Sequence, residues 1–283
     1  MLNGGRHTGF SLVEILLSMV ITVLVVGAIH NILRKSQRLT SVQGEQIALQ
    51  SSVRAGALIL REELGGLSTL EGGTADQNDV VAAGPSAITY RAQRGFGFIC
   101  QVPTATTIRI ARGSFSGYRD PQAGRDAVSI LVPGDPEAAT DDSWLPASVV
   151  SVSTSGSCPL SQGPGISLTL AGAVPSNLPE GTPVRITEIM ELKLYRSGDQ
   201  SWLGARSVSS AEAIQPLIGP LVHVDGFQLE YLDGRGVPTA DRTDIKSIRG
   251  KLRGISAAGE NGVAPSLEEE LVTQITLRNS SPP

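Results

Sequence analysis

From Ile15 to Ile29 the chain is Leu, Ile, Val, Met and Ala, interrupted only by Ser18, Thr22 and Gly27, and after Glu14 no Lys, Arg, Asp or Glu occurs until Arg34. Phe10 to Ile29 is twenty residues, and a helix of that length, rising about 1.5 Å per residue, matches the roughly 30 Å hydrocarbon core of a bilayer. Beyond Arg34, Lys35 and Arg38 the pattern changes from uniformly apolar to striped. Leu39, Val42, Leu49, Val53, Leu60 and Leu64 follow 3/4 spacing, with Gln46 and Gly56 or Ala57 at the missing steps, while Arg38, Gln43, Glu45, Gln50, Arg54 and Arg61 share the other face. The two patterns predict one helix from about Phe10 to Leu64, stopped by Gly65-Gly66.

The pattern then becomes that of β structure. Leu67 to Gly84 reads as a loop rich in Gly, Asp, Asn and Thr, and short apolar runs follow at 87–92, 96–102, 106–111, 127–132, 148–153, 166–170, 184–195 and 202–206. Pro133-Gly134-Asp135 and Ser197-Gly198-Asp199 are turn signals between them. Alternation is clearest in the last third, where Phe227, Leu229 and Tyr231 precede an Asp233-Gly234 turn. Ile248, Gly250 and Leu252 alternate with Arg249, Lys251 and Arg253, and Leu271, Thr273, Ile275 and Leu277 with Gln274 and Thr276. Each such strand places one face on a core and the other in solvent. The expected fold class is α+β: a long N-terminal helix, membrane-spanning then amphipathic, packed on a C-terminal antiparallel β domain. Composition agrees, since 32 Gly and 17 Pro with only 4% aromatic residues favour a turn-rich β domain. The net charge of -4 offers nucleic acid no bulk attraction.

Glu14 is the anomaly in the apolar run, because an ionised side chain inside a spanning helix costs roughly 2.5 to 3.5 kcal/mol on insertion scales. A secretory signal peptide has a shorter apolar core and a small-residue cleavage site, and a plain signal anchor has no use for Glu14. Gly9-Phe10-Ser11-Leu12-Val13-Glu14, followed by the long apolar helix, resembles the class III signal of type IV prepilins and type II secretion pseudopilins. The resemblance implies cleavage by a prepilin peptidase between Gly9 and Phe10, N-methylation of Phe10, and pairing of the Glu14 carboxylate with the terminal amine of a neighbouring subunit during assembly. An ammonium and a carboxylate in apolar surroundings favour each other strongly over remaining unpaired. The implied organisation is a leader at 1–9, a membrane and assembly half of the helix at 10–33, an amphipathic half at 34–64 and a globular β-rich domain at 65–283. In the C-terminal third, Val224 to Gly234 and Leu271 to Asn279 are similar to PilW-type minor pilins and J-type minor pseudopilins.

With Arg6 in a cytoplasmic leader, the domain is expected across the inner membrane in an oxidising compartment, later in a filament or at its tip. Cys100 and Cys158 would there form a disulfide closing a loop of about 59 residues, contributing roughly 4 kcal/mol in the chain-entropy model; two free buried thiols are the alternative. Expected partners are other major and minor pilins or pseudopilins, the prepilin peptidase, an inner-membrane assembly platform and membrane lipid. The implied role is a structural subunit that primes or caps a type IV pilus or type II secretion pseudopilus. A filament-borne adhesin, a DNA-uptake receptor and a membrane-tethered binding module are the competing roles.

Catalytic chemistry finds no foothold in the sequence. His7, His30 and His223 are scattered, no zinc-type spacing occurs, no serine lies in a nucleophile elbow, and Gly95-Phe96-Gly97 lacks a phosphate-loop lysine. Neither enzymatic activity nor a cofactor or metal is expected. Asp233, Asp241 and Asp244 flank a loop without EF-hand spacing, with Arg235 and Arg242 between them. Lys246, Arg249, Lys251 and Arg253 supply positive charge for nucleic-acid contact, but no aromatic residue interleaves to stack on bases.

Overall fold

A computed structural model describes residues 11–69, 78–134, 142–159, 163–256 and 266–278. Helix α1 runs unbroken from Leu12 to Gly65, and the chain divides within it into compact units at residues 1–49 and 50–283. In the first unit the described residues are almost all exposed, including Val20, Leu24, Ile32 and Leu39. Ser18 and Thr22 do not break the helix because each hydroxyl donates back to a carbonyl one turn earlier, Ile15 at 2.8 Å and Ser18 at 2.7 Å. Such bonds let hydroxyls sit in an apolar medium without unsatisfied groups.

In the second unit α1 becomes one-sided. Val53, Gly56, Leu60 and Leu64 are buried, while Arg54, Leu58 and Arg61 remain exposed. Gly56, rather than Ala57, completes the stripe: a Cβ there would lie 2.2 Å from Ile218 Cδ1 and 2.9 Å from Leu252 Cδ1, so the glycine lets the helix approach the sheet closely. The stripe at Leu39 is not covered; that residue is 60% exposed.

Among the described residues thirteen antiparallel strands follow: β1 (Val80–Ala83), β2 (Ala87–Thr104), β3 (Thr107–Ala111), β4 (Ser116–Gly117), β5 (Ala127–Val132), β6 (Ser143–Ser157), β7 (Pro164–Leu170), β8 (Pro183–Ser197), β9 (Gln200–Ser207), β10 (Gln215–Leu221), β11 (Phe227–Leu232), β12 (Ser247–Ile255) and β13 (Glu268–Thr276). β2 and β8 form the trunk, paired from Ala87↔Lys193 to Phe98↔Pro183. At one end of the trunk β2 pairs β3, β3 pairs β7, β7 pairs β6, β6 pairs β5 and β5 returns to β8. Those six strands form a closed ring, and their alternate residues Ile99, Ile108, Ile110, Val128, Ile130, Val149, Ile166, Leu168, Val184 and Ile186 fill a common apolar core. Closure leaves this small barrel without an unpaired edge. At the other end β8 pairs β9, β9 pairs β10, β10 meets β12, and β12 lies between β11 and β13. This second sheet meets α1, with Ile218, Leu252 and Gly250 nearest Gly56 and Leu60.

Several elements differ from the sequence expectation. The segment 67–84 contains β1 at its end, and β10 forms despite Pro216 and Pro220. Two separate runs, 87–92 and 96–102, are one strand bent by a bulge between Gln93 and Gly95.

Candidate functional site

Gly9 and Phe10 lie outside the described residues, so the expected cleavage and methylation position carries no structural account. Glu14 occupies the first turn of α1, the end at which the helix dipole favours an anion. Its amide donates to the Ser11 carbonyl at 3.0 Å. Every residue from Ser11 to Ser41 is exposed, and the helix is long and apolar enough to cross a membrane. Glu14 is therefore the one acidic residue between Ser11 and Arg34, on a surface whose other polar groups are the neutral side chains of Ser11, Ser18, Thr22 and Asn31 and the imidazole of His30.

Cys100 on β2 and Cys158 just after β6 are joined by a disulfide. It links two strands of the barrel and accords with an extracytoplasmic domain.

The cations of β12 do not stand alone. Arg249 pairs with Glu230 at 2.6 Å, Lys251 with Glu270 at 3.2 Å, and Arg253 with Asp225 and with Glu268 at 2.7 Å. Register sets Glu230 directly opposite Arg249 and Glu270 opposite Arg253, while Lys251 reaches Glu270 and Arg253 reaches Glu268 along the diagonal between β12 and β13, so the stripe is close to neutral. The aspartates of the 233–244 loop serve the loop itself. Asp233 accepts from the amides of Val237 and Arg235, which hold its carboxyl below the usual range, and Asp241 is lowered by the amide and hydroxyl of Thr243. Among the described residues no cluster of His, Cys, Asp and Glu could hold a metal ion. His223 Nδ1 lies 3.1 Å from the Ser201 hydroxyl, in a structural setting.

One cluster escaped the sequence reading. Glu188, its side chain 1% exposed, sits on β8 between the stretch paired with β5 and the stretch paired with β9. Arg125 reaches it at 2.5 Å, Arg94 at 2.9 Å and Arg119 at 3.2 Å. Arg119 also forks onto buried Asp126 at 2.6 and 2.7 Å. On the α1 side, Glu63 accepts from the Tyr90 hydroxyl at 2.7 Å and faces Arg94 at 3.5 Å. Burial opposes ionisation of Glu188, but hydrogen bonds from Ser207, Arg94 and Arg125 outweigh it and hold the carboxyl below its ordinary range. The signal was present in the sequence: Val184 and Ile186 point to the core, and Glu188 continues their parity with a charge.

No family model matches the chain, and neither a curated protein nor a solved structure is significantly similar to it. The architecture is pilin-like: a long N-terminal apolar helix contacting a large antiparallel sheet.

Proposed function

We propose that this chain is a minor pilin or pseudopilin, a non-enzymatic subunit that primes or caps a type IV pilus or type II secretion pseudopilus. The observation that carries this reading is Glu14, the acid in the first turn of a helix that is exposed and uncharged from Ile15 to Leu33 and runs unbroken to Gly65. A simple anchor gains nothing from that carboxylate. A subunit that must pair with a neighbour's amine before leaving the bilayer does, because the pair relieves the cost of both charges in an apolar medium. Sister pilins, a prepilin peptidase, an assembly platform and lipid are the partners this role requires. The β domain, with its barrel added to the helix-bearing sheet, exceeds what a repeated shaft position needs and suits a terminal position.

Mass spectrometry of the mature protein tests the premise. A chain beginning at methylated Phe10 is expected, and an intact Met1 overturns the reading. Glu14→Ala should leave the protein in the membrane but out of filaments; unchanged filament assembly would instead favour a tethered binding module.

A further inference from the structure

A cleft of about 910 Å3 opens between the C-terminal turn of α1, the bulged part of β2 and β4. Phe96 and Tyr118 line it, and two more of the chain's five Phe support its wall from behind, Phe98 with its ring 5.1 Å from that of Phe96 and Phe115 against Gly95 and Gly117. In a chain with 4% aromatic residues this is a strong concentration. Phe115 packs on bare backbone: a Cβ at Gly95 would lie 2.8 Å from its ring, and one at Gly117 2.9 Å. That contact fixes β4 against β2. The Tyr118 amide then bonds the Arg94 carbonyl at 3.1 Å, so the residue is held by its backbone while its side chain stands 84% exposed. A tyrosine whose backbone is held at the rim and whose ring is left in solvent offers an open face for stacking.

The polar rim is mixed in character. Arg94 and Glu63 are engaged with each other and with Glu188 and Tyr90. Arg61, Gln93 and Arg278 supply donors to the opening, and Glu62 and the Gln93 amide supply acceptors. The helix end adds its negative pole, and its last turn carries no basic residue. Glu62, Glu63 and that pole disfavour a polyphosphate, and the charged rim disfavours an apolar ligand. What remains is a ligand with a flat apolar face and an edge of groups that both donate and accept. Pyranose rings with equatorial hydroxyls have this form, and the volume is in the range that encloses drug-sized ligands.

We propose that this cleft binds a neutral oligosaccharide of all-equatorial pyranose units, one ring stacked on Tyr118 and its hydroxyls bonded by Arg61, Glu62 and Gln93. The proposal does not depend on the subunit role, and the two fail separately. The test is calorimetric titration of the full chain in detergent with cellohexaose and with chitohexaose. At least one should bind, Tyr118→Ala should weaken that binding by about tenfold and Gln93→Ala should weaken it too, while Tyr118→Phe retains it, since tenfold is about 1.4 kcal/mol, the size of an aromatic stacking contribution. Affinity should change little between about 50 and 200 mM salt, unlike phosphate recognition. Among the described residues Tyr118 makes no side-chain hydrogen bond and its side chain is exposed, so its substitution should leave the unfolding temperature unchanged. The proposal is overturned if neither hexasaccharide binds, if Tyr118→Ala binds as well as the parent, or if dodecathymidylate or hexaglutamate binds there in a salt-dependent way instead.

Discussion

The barrel and the helix-bearing sheet grow from the same two strands, β2 and β8, yet they complete their cores differently. The barrel's six strands return on themselves, and its apolar side chains cover one another across the ring. A disulfide joins β2 to the end of β6, and among the described residues no helix contributes to the barrel's core. The second sheet remains open at β13 and takes Val53, Gly56, Leu60 and Leu64 of α1 as part of its core. The barrel is thus self-sufficient in burial, whereas the sheet depends on the helix whose N-terminal part is long and apolar enough to cross a membrane. Stability of the first belongs to the strands; stability of the second is tied to the helix.

The largest expected effect tests the barrel side. Replacing Cys100 and Cys158 together by Ala should lower stability by up to about 4 kcal/mol, from the freed loop in the unfolded chain. Hydrogen exchange should then quicken in β6 and β7 before β12 and β13. Equal loss of protection in both halves would mean that they unfold as one and would break the distinction.

Next comes the seam where they join. Glu188→Ala leaves three guanidiniums without their shared carboxylate, and because those guanidiniums are partly solvated the cost is expected at about 3 kcal/mol, near the lower end for a broken buried pair. The pH dependence has a definite sign. A carboxyl depressed by folding contributes stability that is fully present above its unfolded value, about 4.5, and is lost as pH falls below it through the folded value. Denaturant melts in acid should therefore show a shallower decline for Glu188→Ala than for the parent. An identical decline would assign the acid sensitivity to other groups.

How these regions were read from sequence follows from the range of their interactions. The α1 stripe from Leu49 onward, the Gly65-Gly66 stop and the alternating strands at Phe227, Ile248 and Leu271 are local periodicities, and they appear where the pattern puts them, whereas the start of the stripe at Leu39 stays exposed. β1 and β10 were hidden because Gly, Asp and Asn precede one and Pro216 and Pro220 punctuate the other, and propensity yields to sheet pairing in both. Ring closure was not legible at all: β5 finds β8 across more than fifty residues, and nothing in either run names its partner. Glu14 stood out because a charge in an apolar run is costly wherever it is. Glu188 is the same kind of anomaly within a strand, and its meaning lies in arginines distant in sequence. The cleft needed the fold as well, because Arg61 and Tyr118 line one opening only once β2 lies beside α1.

On the sheet side, Gly56→Leu should force Ile218 and Leu252 aside and cost about 2 kcal/mol by overpacking. Chemical unfolding should show the loss, with β12 and β13 more exposed to exchange while the barrel keeps its protection. Barrel amides that exchange as fast as those of β12 would show that the helix supports both regions.

The smallest effect concerns the charged face of that same sheet. Arg249 and Glu230 are 44% and 43% exposed, and pairs of this kind contribute about 0.2 to 1 kcal/mol. Arg249→Ala should therefore barely move the unfolding midpoint, and the change should diminish further in high salt. The triple replacement of Arg249, Lys251 and Arg253 by Ala extends the measurement to function. Because each cation already faces a carboxylate, removing all three should leave DNA affinity of the purified chain unchanged in a gel-shift or fluorescence assay. A marked fall in DNA binding would show that the carboxylates yield these cations to phosphate, and the solvent face of β12 would then be an interaction surface in its own right.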